Sequence, residues 1–328
     1  MKSDRIDARP QSTWIDPRPS NRSDARPKSN SCIPALIAIV AVYFIAFATF
    51  FAAPVAAADQ EALFAKAENL IGYTDDAKGL RTLIAQGLAV NKPSKNSQGR
   101  TLLFSAATGG KIAMMDVLLK AGANPNAQEE NGMSVLRDVT WTGQNQVNVV
   151  KRLVAAKADV NLVAHDGWTP LIQIMYAEPA VAVPVAQVLL QAGADASIVN
   201  NEGNSALMLA SQRDIPALIP ALVKAGADIN EQGHDGTPLT VAAYEGHTAV
   251  VQALLDAKAD PNLGSGRHDE TPLMKAAQRD HAEIIALLLA RCARTDPVDS
   301  FFHWNALKFA KSDATRSALQ AGPGTNCK

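Results

Sequence analysis

The sequence predicts an all-α repeat solenoid, because two short phrases recur in phase along most of the chain. A turn phrase closes a Leu-rich stretch seven times: Gly87-Leu-Ala-Val-Asn91, Gly122-Ala-Asn-Pro-Asn126, Lys157-Ala-Asp-Val-Asn161, Gly193-Ala-Asp-Ala-Ser197, Gly226-Ala-Asp-Ile-Asn230, Lys258-Ala-Asp-Pro-Asn262 and a degraded Cys292-Ala-Arg-Thr-Asp296. Their first residues lie 35, 35, 36, 33, 32 and 34 apart. A second phrase opens the units: Thr101-Leu-Leu-Phe-Ser-Ala-Ala107, Thr169-Pro-Leu-Ile172, Ser205-Ala-Leu-Met-Leu-Ala210, Thr237-Pro-Leu-Thr-Val-Ala-Ala243 and Thr271-Pro-Leu-Met-Lys-Ala-Ala277, with weaker copies at Ser134-Val-Leu136 and Asn305-Ala-Leu307. A fixed period in this range means units that bury their apolar faces only by stacking on neighbours.

Each piece of the unit has a physical reading. Thr or Ser caps a first helix by accepting a backbone N–H bond, and Pro suits the first helical position. Leu then begins an apolar stripe, and paired Ala residues such as Ala106 and Ala107 let helices approach closely. A second helix carries Val117/Leu118/Leu119, Val188/Leu189/Leu190, Ala253/Leu254/Leu255 or Leu287/Leu288/Leu289. Burying each such Leu contributes roughly 1.5–3 kcal/mol. Gly122, Gly193 and Gly226 follow that helix, where a left-handed residue is easiest for Gly. Lys157, Lys258 and Cys292 replace it elsewhere, which predicts less favourable helix ends there.

The front phrase resembles the Thr-Pro-Leu-His-x-Ala signature of the ankyrin-repeat family, over roughly residues 60–320. The resemblance implies ankyrin-type helix–loop–helix–hairpin units, about six full repeats plus degenerate terminal caps. On this reading residues 59–95 form an N-terminal capping repeat, 96–296 six repeats, and 297–328 a C-terminal cap and tail. The resemblance also implies that first helices line a concave groove and hairpins project from one edge.

Composition supports thin stacked helices: 47% of residues are apolar but only 5% aromatic. Residues 1–58 hold seven Lys/Arg against four Asp, leaving 24 basic and 28 acidic residues in the repeats. That balance shows no sign of the basic face that nucleic-acid binding needs. Residues 1–31 are polar and Arg/Pro-rich, repeating Asp7-Ala-Arg-Pro10, Asp16-Pro-Arg-Pro19 and Asp24-Ala-Arg-Pro27, and read as a disordered tail or an overlong start. Residues 32–58 are free of charge, with a continuous apolar stretch from Ala35 to Ala53 that spans about 28 Å as a helix. Basic residues precede it and Ala56-Ala57-Ala58 ends it before Asp59, a small-x-small pattern. It is therefore expected to be a signal peptide cleaved near Ala58–Asp59, or a retained inner-membrane anchor, with the repeats exported to a bacterial periplasm. After cleavage Cys292 and Cys327 are the remaining thiols, and an even pair in an oxidising compartment predicts a disulfide, against two free thiols as the alternative.

Counting the repeat's Thr/Ser as zero, the family resemblance implies that positions seven and eight face the groove and touch partners. Position seven holds Thr108, Trp141, Tyr176, Gln212, Tyr244 and Gln278; position eight holds Gly109, Thr142, Ala177, Arg213, Glu245 and Arg279. The candidate partner-binding set is Trp141, Tyr176, Gln212, Arg213, Tyr244 and Glu245, with Trp168 as an exposed anchor on a hairpin tip. Other tip candidates include Glu129, Glu130 and Met133. Two units carry insertions, around Thr142–Gln146 and Ala177–Pro184, which are expected to be loops beside Trp141 and Tyr176. Pro220, four residues after Pro216, is expected to kink a second helix.

Catalytic chemistry has little footing. His247 and His281 stand before second helices, where a structural role fits. His165, His234 and His268 each precede Asp on hairpin tips; His234 and His268 suggest a metal pair, but solvated turn residues account for the same letters. No phosphate-binding Gly-rich loop, His-Glu-x-x-His motif, nucleophile elbow or Cys-x-x-Cys pair occurs. The reading is a non-catalytic protein-binding scaffold without cofactor or metal, whose partner is another protein of the cell envelope. A membrane-tethered chaperone-like factor and, less favoured, a hydrolase or metal-dependent enzyme are the alternatives.

Overall fold

The computed structural model describes residues 57–95 and 98–322. The polar tail, nearly all of the apolar segment and Cys327 lie outside the described residues. Within them, sixteen α-helices form eight successive pairs: α1 (Ala57–Tyr73) and α2 (Ala77–Ala85), α3 (Leu102–Thr108) and α4 (Ile112–Lys120), α5 (Val135–Thr142) and α6 (Gln146–Ala155), α7 (Pro170–Ile174) and α8 (Pro179–Gln191), α9 (Ala206–Gln212) and α10 (Ile219–Lys224), α11 (Pro238–Glu245) and α12 (Thr248–Asp256), α13 (Pro272–Gln278) and α14 (Ala282–Ala290), α15 (Ala306–Phe309) and α16 (Asp313–Ala321). Each first helix packs on the first helix of the next pair, and each second helix on the next second helix. Among the described residues there is no strand. Isolated antiparallel bridges such as Gln128–Ser134 and Val199–Ser205 close the hairpin fingers instead.

The caps fall where the front phrase places them. Ser134, Thr169, Ser205 and Thr271 accept from the backbone N–H three residues on, at 2.9–3.3 Å. Thr237 and Thr240 close a reciprocal capping box. Thr101 departs: its hydroxyl is buried without a partner, and α3 has no side-chain cap. Helix ends follow the expected distinction too. Gly122, Gly193 and Gly226 have φ of 86°, 91° and 101°, and Lys157, Lys258 and Cys292 are forced into the same left-handed region at 66°, 74° and 67°.

The turn phrases do more than turn. Asn161 Oδ1 accepts from Asp195 N at 2.8 Å while its Nδ2 donates to Gly193 O at 3.1 Å. Asn91 makes the same pair of bonds to Asn124 N and Gly122 O, and Asn262 to Arg294 N and Cys292 O. Asn126 and Asn230 each accept from the next phrase as well. The Asn of one phrase thus stitches the backbone of the next, and the core of Leu, Val, Ala and Met runs as one cluster beneath the stitches.

Two expectations are corrected and a third is met. The insertion around Ala177–Pro184 is mainly helix, since Pro179 occupies the first turn of a thirteen-residue α8 with Pro184 inside it. Pro220 breaks its helix rather than kinking it: a 3₁₀ turn over Pro216–Leu218 gives way to α10, which begins again with Pro220 in its first turn. The insertion around Thr142–Gln146 is a loop as expected, at Gly143–Asn145, where Asn145 has φ 50°.

The ends differ from the middle. α1 runs 17 residues, and the Ala58–Asp59 junction lies in its first turn. Gln60 ties it to the first turn phrase, through Gly87 O at 2.6 Å and Ala89 N at 3.0 Å. At the other end Asp280 accepts from Ser312 and Thr315, which docks the start of α16 on the preceding unit. Among the described residues no helix is long and apolar enough to cross a membrane.

Candidate functional site

The candidate groove residues resolve into two clefts and a smaller hollow. The first, about 350 Å³, is lined by Met133, Arg137, Trp141, Asp166, Trp168, Gln173 and Tyr176. Trp141 and Tyr176 therefore meet, as their places in adjacent units imply, and are 59% and 37% exposed. Trp168 is not a protruding tip. It packs against the core, its ring 5.4 Å from Tyr176 and tilted by 48°. The five-residue α7 is short enough for side chains from its two ends to touch across it.

The floor of this cleft is an ion pair whose cation is buried and whose carboxylate is half exposed. Arg137 is 7% exposed and forks onto Asp166 with Nη1–Oδ1 at 3.0 Å and Nη2–Oδ2 at 2.8 Å. Gln173 Oε1 receives two further N–H groups at 3.4 Å, and the guanidinium lies 5.9 Å from the Trp168 ring. The bidentate geometry satisfies the buried cation and orders the aromatic walls above it. In the neighbouring unit Arg100 pairs with Glu129 and, at 3.3 Å, with Asp138, which also accepts from Thr108 at 2.7 Å. Glu129 is accordingly buried rather than displayed on a finger.

The second cleft, about 510 Å³, is lined by Gln212, Asp235, Thr240, Val241, Tyr244, Glu245, Lys275 and Gln278. Here Arg279 lies 4.1 Å from the Tyr244 ring and donates to its hydroxyl at 2.6 Å. Lys275, 5.5 Å from the same ring, is paired with Glu270 at 2.5 Å. Gln212, Tyr244 and Glu245 thus belong together but apart from Trp141, Trp168 and Tyr176. Arg213, 4.8 Å from the Tyr176 ring, faces a third hollow with Glu178 and Pro179.

The two pre-helix histidines are structural: His247 contacts Ser211 O at 3.0 Å and His281 contacts Tyr244 O at 3.1 Å, each reaching across a unit boundary. His234 sits exposed beside Asp235 at 3.0 Å. Among the described residues no three of His, Cys, Asp and Glu gather in a metal-binding geometry. Cys292 is disulfide-bonded; Cys327 lies outside the described residues.

Two features escaped the reading of the sequence. Arg137 and Asp138 interrupt the first helix of their unit where other units carry mostly apolar or small residues, a signal visible in the aligned phrases. The last finger carries Phe301, Phe302 and Trp304 in a run of rings that His268 of the preceding finger and Phe309 of α15 extend at its two ends, with successive centroids 4.6–5.5 Å apart. Asp299 holds it by accepting from the N–H of Phe301, Phe302 and Trp304. The letters Phe301-Phe302-His303-Trp304 stand out in a chain so poor in aromatics, and would have marked the finger.

A family model described as ankyrin repeats in three copies matches residues 139–233, 174–265, 216–299 and 239–315, and a single ankyrin-repeat model matches 98–130. The nuclear factor NF-kappa-B p105 subunit of Gallus gallus is 28% identical over 52% of this chain and 17% of its own length. NF-kappa-B inhibitor delta of Mus musculus is 29% identical over 52% of this chain and 60% of its own. The putative ankyrin repeat protein YahD of Escherichia coli is 26% identical over 48% of this chain and 94% of its own. The chain thus spans less than two thirds of the first two relatives.

Proposed function

Because this chain belongs to the ankyrin-repeat family, we propose that its solenoid, a protein–protein interaction scaffold, works in the bacterial periplasm and captures an envelope protein in the groove. The observation that carries the site is the first cleft, where three aromatic side chains stand over a bidentate Arg137–Asp166 pair. Rigid aromatic walls bury large area at small entropic cost, and Trp, Tyr and Arg dominate binding hot spots. The reading is non-catalytic because repeats of this family are typically interaction modules.

The periplasmic address rests on residues 32–58, and the pairing of Cys292 with Cys327 would suit that compartment. The 19-residue reach of Ala35–Ala53 favours a second reading, a chaperone-like factor kept at the inner membrane. One experiment tests both: affinity capture from intact envelope, with mass spectrometry of prey and of the mature N-terminus. A start at Asp59 supports release, and a retained apolar segment supports the tethered factor. Prey that is captured equally by the wild type and by Trp141→Ala/Tyr176→Ala protein would refute the groove. A thiol assay on unreduced exported protein should find no reactive Cys, and two would refute the disulfide.

A further inference from the structure

We propose that the groove selects an acidic partner segment, gripped at two Arg–Tyr clips that repeat two units apart. The inference rests on the groove reading above and specifies the chemistry of what the groove takes. Arg213 stands at position eight of its unit and covers Tyr176 at position seven of the unit before, 4.8 Å from the ring centroid. Arg279 repeats the arrangement over Tyr244 at 4.1 Å, with its Nη2 on the phenol oxygen at 2.6 Å.

Both arginines are exposed, and among the described residues neither pairs with a carboxylate. Arg100, Arg137, Arg152 and Arg291 each do. Contact with the ring restrains each guanidinium, and apart from the Arg279 Nη2 that Tyr244 takes, the N–H groups stay open to a partner. A flat, pre-ordered fork of donors matches a carboxylate bidentately.

The surroundings narrow the partner further. Glu178 lies beside the first clip, and Asp235 and Glu245 line the cleft of the second. These carboxylates repel any acid that does not sit directly on a guanidinium, so the residues flanking each clip contact are neutral or basic. The aromatic cleft beside Tyr176 takes a bulky apolar residue next to the first acid. Two helix-packing steps of 8–10 Å separate the clips by roughly 16–20 Å. An extended chain covers that in about six residues, which also returns a side chain to the same face. The partner segment is therefore a bulky apolar residue beside an acid, with a second acid about six residues on. A phosphate backbone also suits guanidinium groups, but its charge recurs at every nucleotide, so most of it would fall off the two clips and face Glu178, Asp235 or Glu245.

The probe is a fluorescein-labelled peptide carrying one Phe and two Glu six apart, compared with its Gln counterpart by anisotropy on the full-length protein. The Glu peptide should bind at least about tenfold more tightly, with affinity falling as salt rises. Arg213→Gln/Arg279→Gln should abolish that preference without moving the thermal midpoint, and Arg213→Lys/Arg279→Lys should restore part of it. Equal binding of the two peptides, an unchanged preference in the Gln variant, or a single-stranded oligonucleotide that binds through the same arginines more tightly would overturn the proposal. Envelope prey that depends on Trp141 but not on the arginines would sink the acidic preference and leave the groove standing. Prey that depends on neither would sink the groove itself.

Discussion

Trp168 and Tyr176 touch, ring centroids 5.4 Å apart, although one residue ends a finger and the other follows a helix of the same unit. The contact turns two isolated aromatic letters into one wall, with Arg213 on Tyr176 as well. Trp141 stands opposite and is 59% exposed. Trp141→Ala should therefore change unfolding stability by less than about 0.5 kcal/mol. A Trp168→Ala/Tyr176→Ala double-mutant cycle should show a coupling of about 0.5–1.5 kcal/mol. Urea denaturation measures both, and a loss above about 2 kcal/mol at Trp141 would make it a core residue.

Arg137 and Asp166 form an asymmetric pair, because Arg137 is buried and Asp166 is half exposed. Removing the carboxylate leaves a guanidinium in a dry floor, whereas removing the arginine frees a carboxylate that water can reach. Asp166→Ala should cost about 2–3 kcal/mol, and Arg137→Met, which fills similar volume, under about 1 kcal/mol. Equal losses in denaturant unfolding would contradict the burial argument.

Asn161 makes two bonds to the following turn phrase, whereas Ser197, in the same place one unit later, turns its hydroxyl back onto Asp195 at 2.6 Å. Asn161→Ala should lower stability by about 1–2 kcal/mol. Ser197→Asn lengthens the side chain toward the next phrase and should raise stability by about 0.5–1 kcal/mol. Calorimetric midpoints moving in the same direction for both variants would show that the stitch carries no stability.

These residues also show what the letters could disclose. The stack of pairs was legible because its period, caps and Leu stripes are local patterns, each repeated until chance is a poor account. Trp141 and Tyr176 were legible because their register was. The meeting of Arg137 with Asp166 and of Arg100 with Asp138 was not, since partners 29 and 38 residues apart come together only after units stack. Asn161 reads as a turn former for the same reason. The Ala177–Pro184 stretch misled because insertions in repeats usually become loops, yet Pro179 falls in a first helical turn, where its missing N–H costs nothing.

Glu231 gives the fold a pH dependence of known sign. Its side chain lies in the finger before α11 and accepts from Ser205, whose hydroxyl oxygen in turn caps α9. Burial, reinforced by the nearby Asp228, pushes the Glu231 carboxyl above its ordinary 4.5, although the bonds from Ser205 and Met208 oppose the rise. The folded chain therefore holds this proton at a pH where the unfolded chain has released it. The stabilisation is fully present below the unfolded value and is lost as pH rises through the folded one. Asp280 and Asp299 act in the opposite sense. Bonds from Thr315 and Ser312 lower the Asp280 carboxyl. At Asp299 burial raises it, but the N–H groups of Phe302, Trp304 and Phe301 together hold it below its usual value. Both contribute stability that disappears as pH falls. Comparing the wild type with Glu231→Gln isolates the first effect, because both proteins keep the other two carboxyls. The amide cannot ionise but still offers Ser205 an acceptor, so the variant should gain stability over the wild type as pH rises from 4.5 to 8. Urea unfolding at several pH values gives that difference directly. A difference that does not change with pH would show that Glu231 ionises as it does in the unfolded chain.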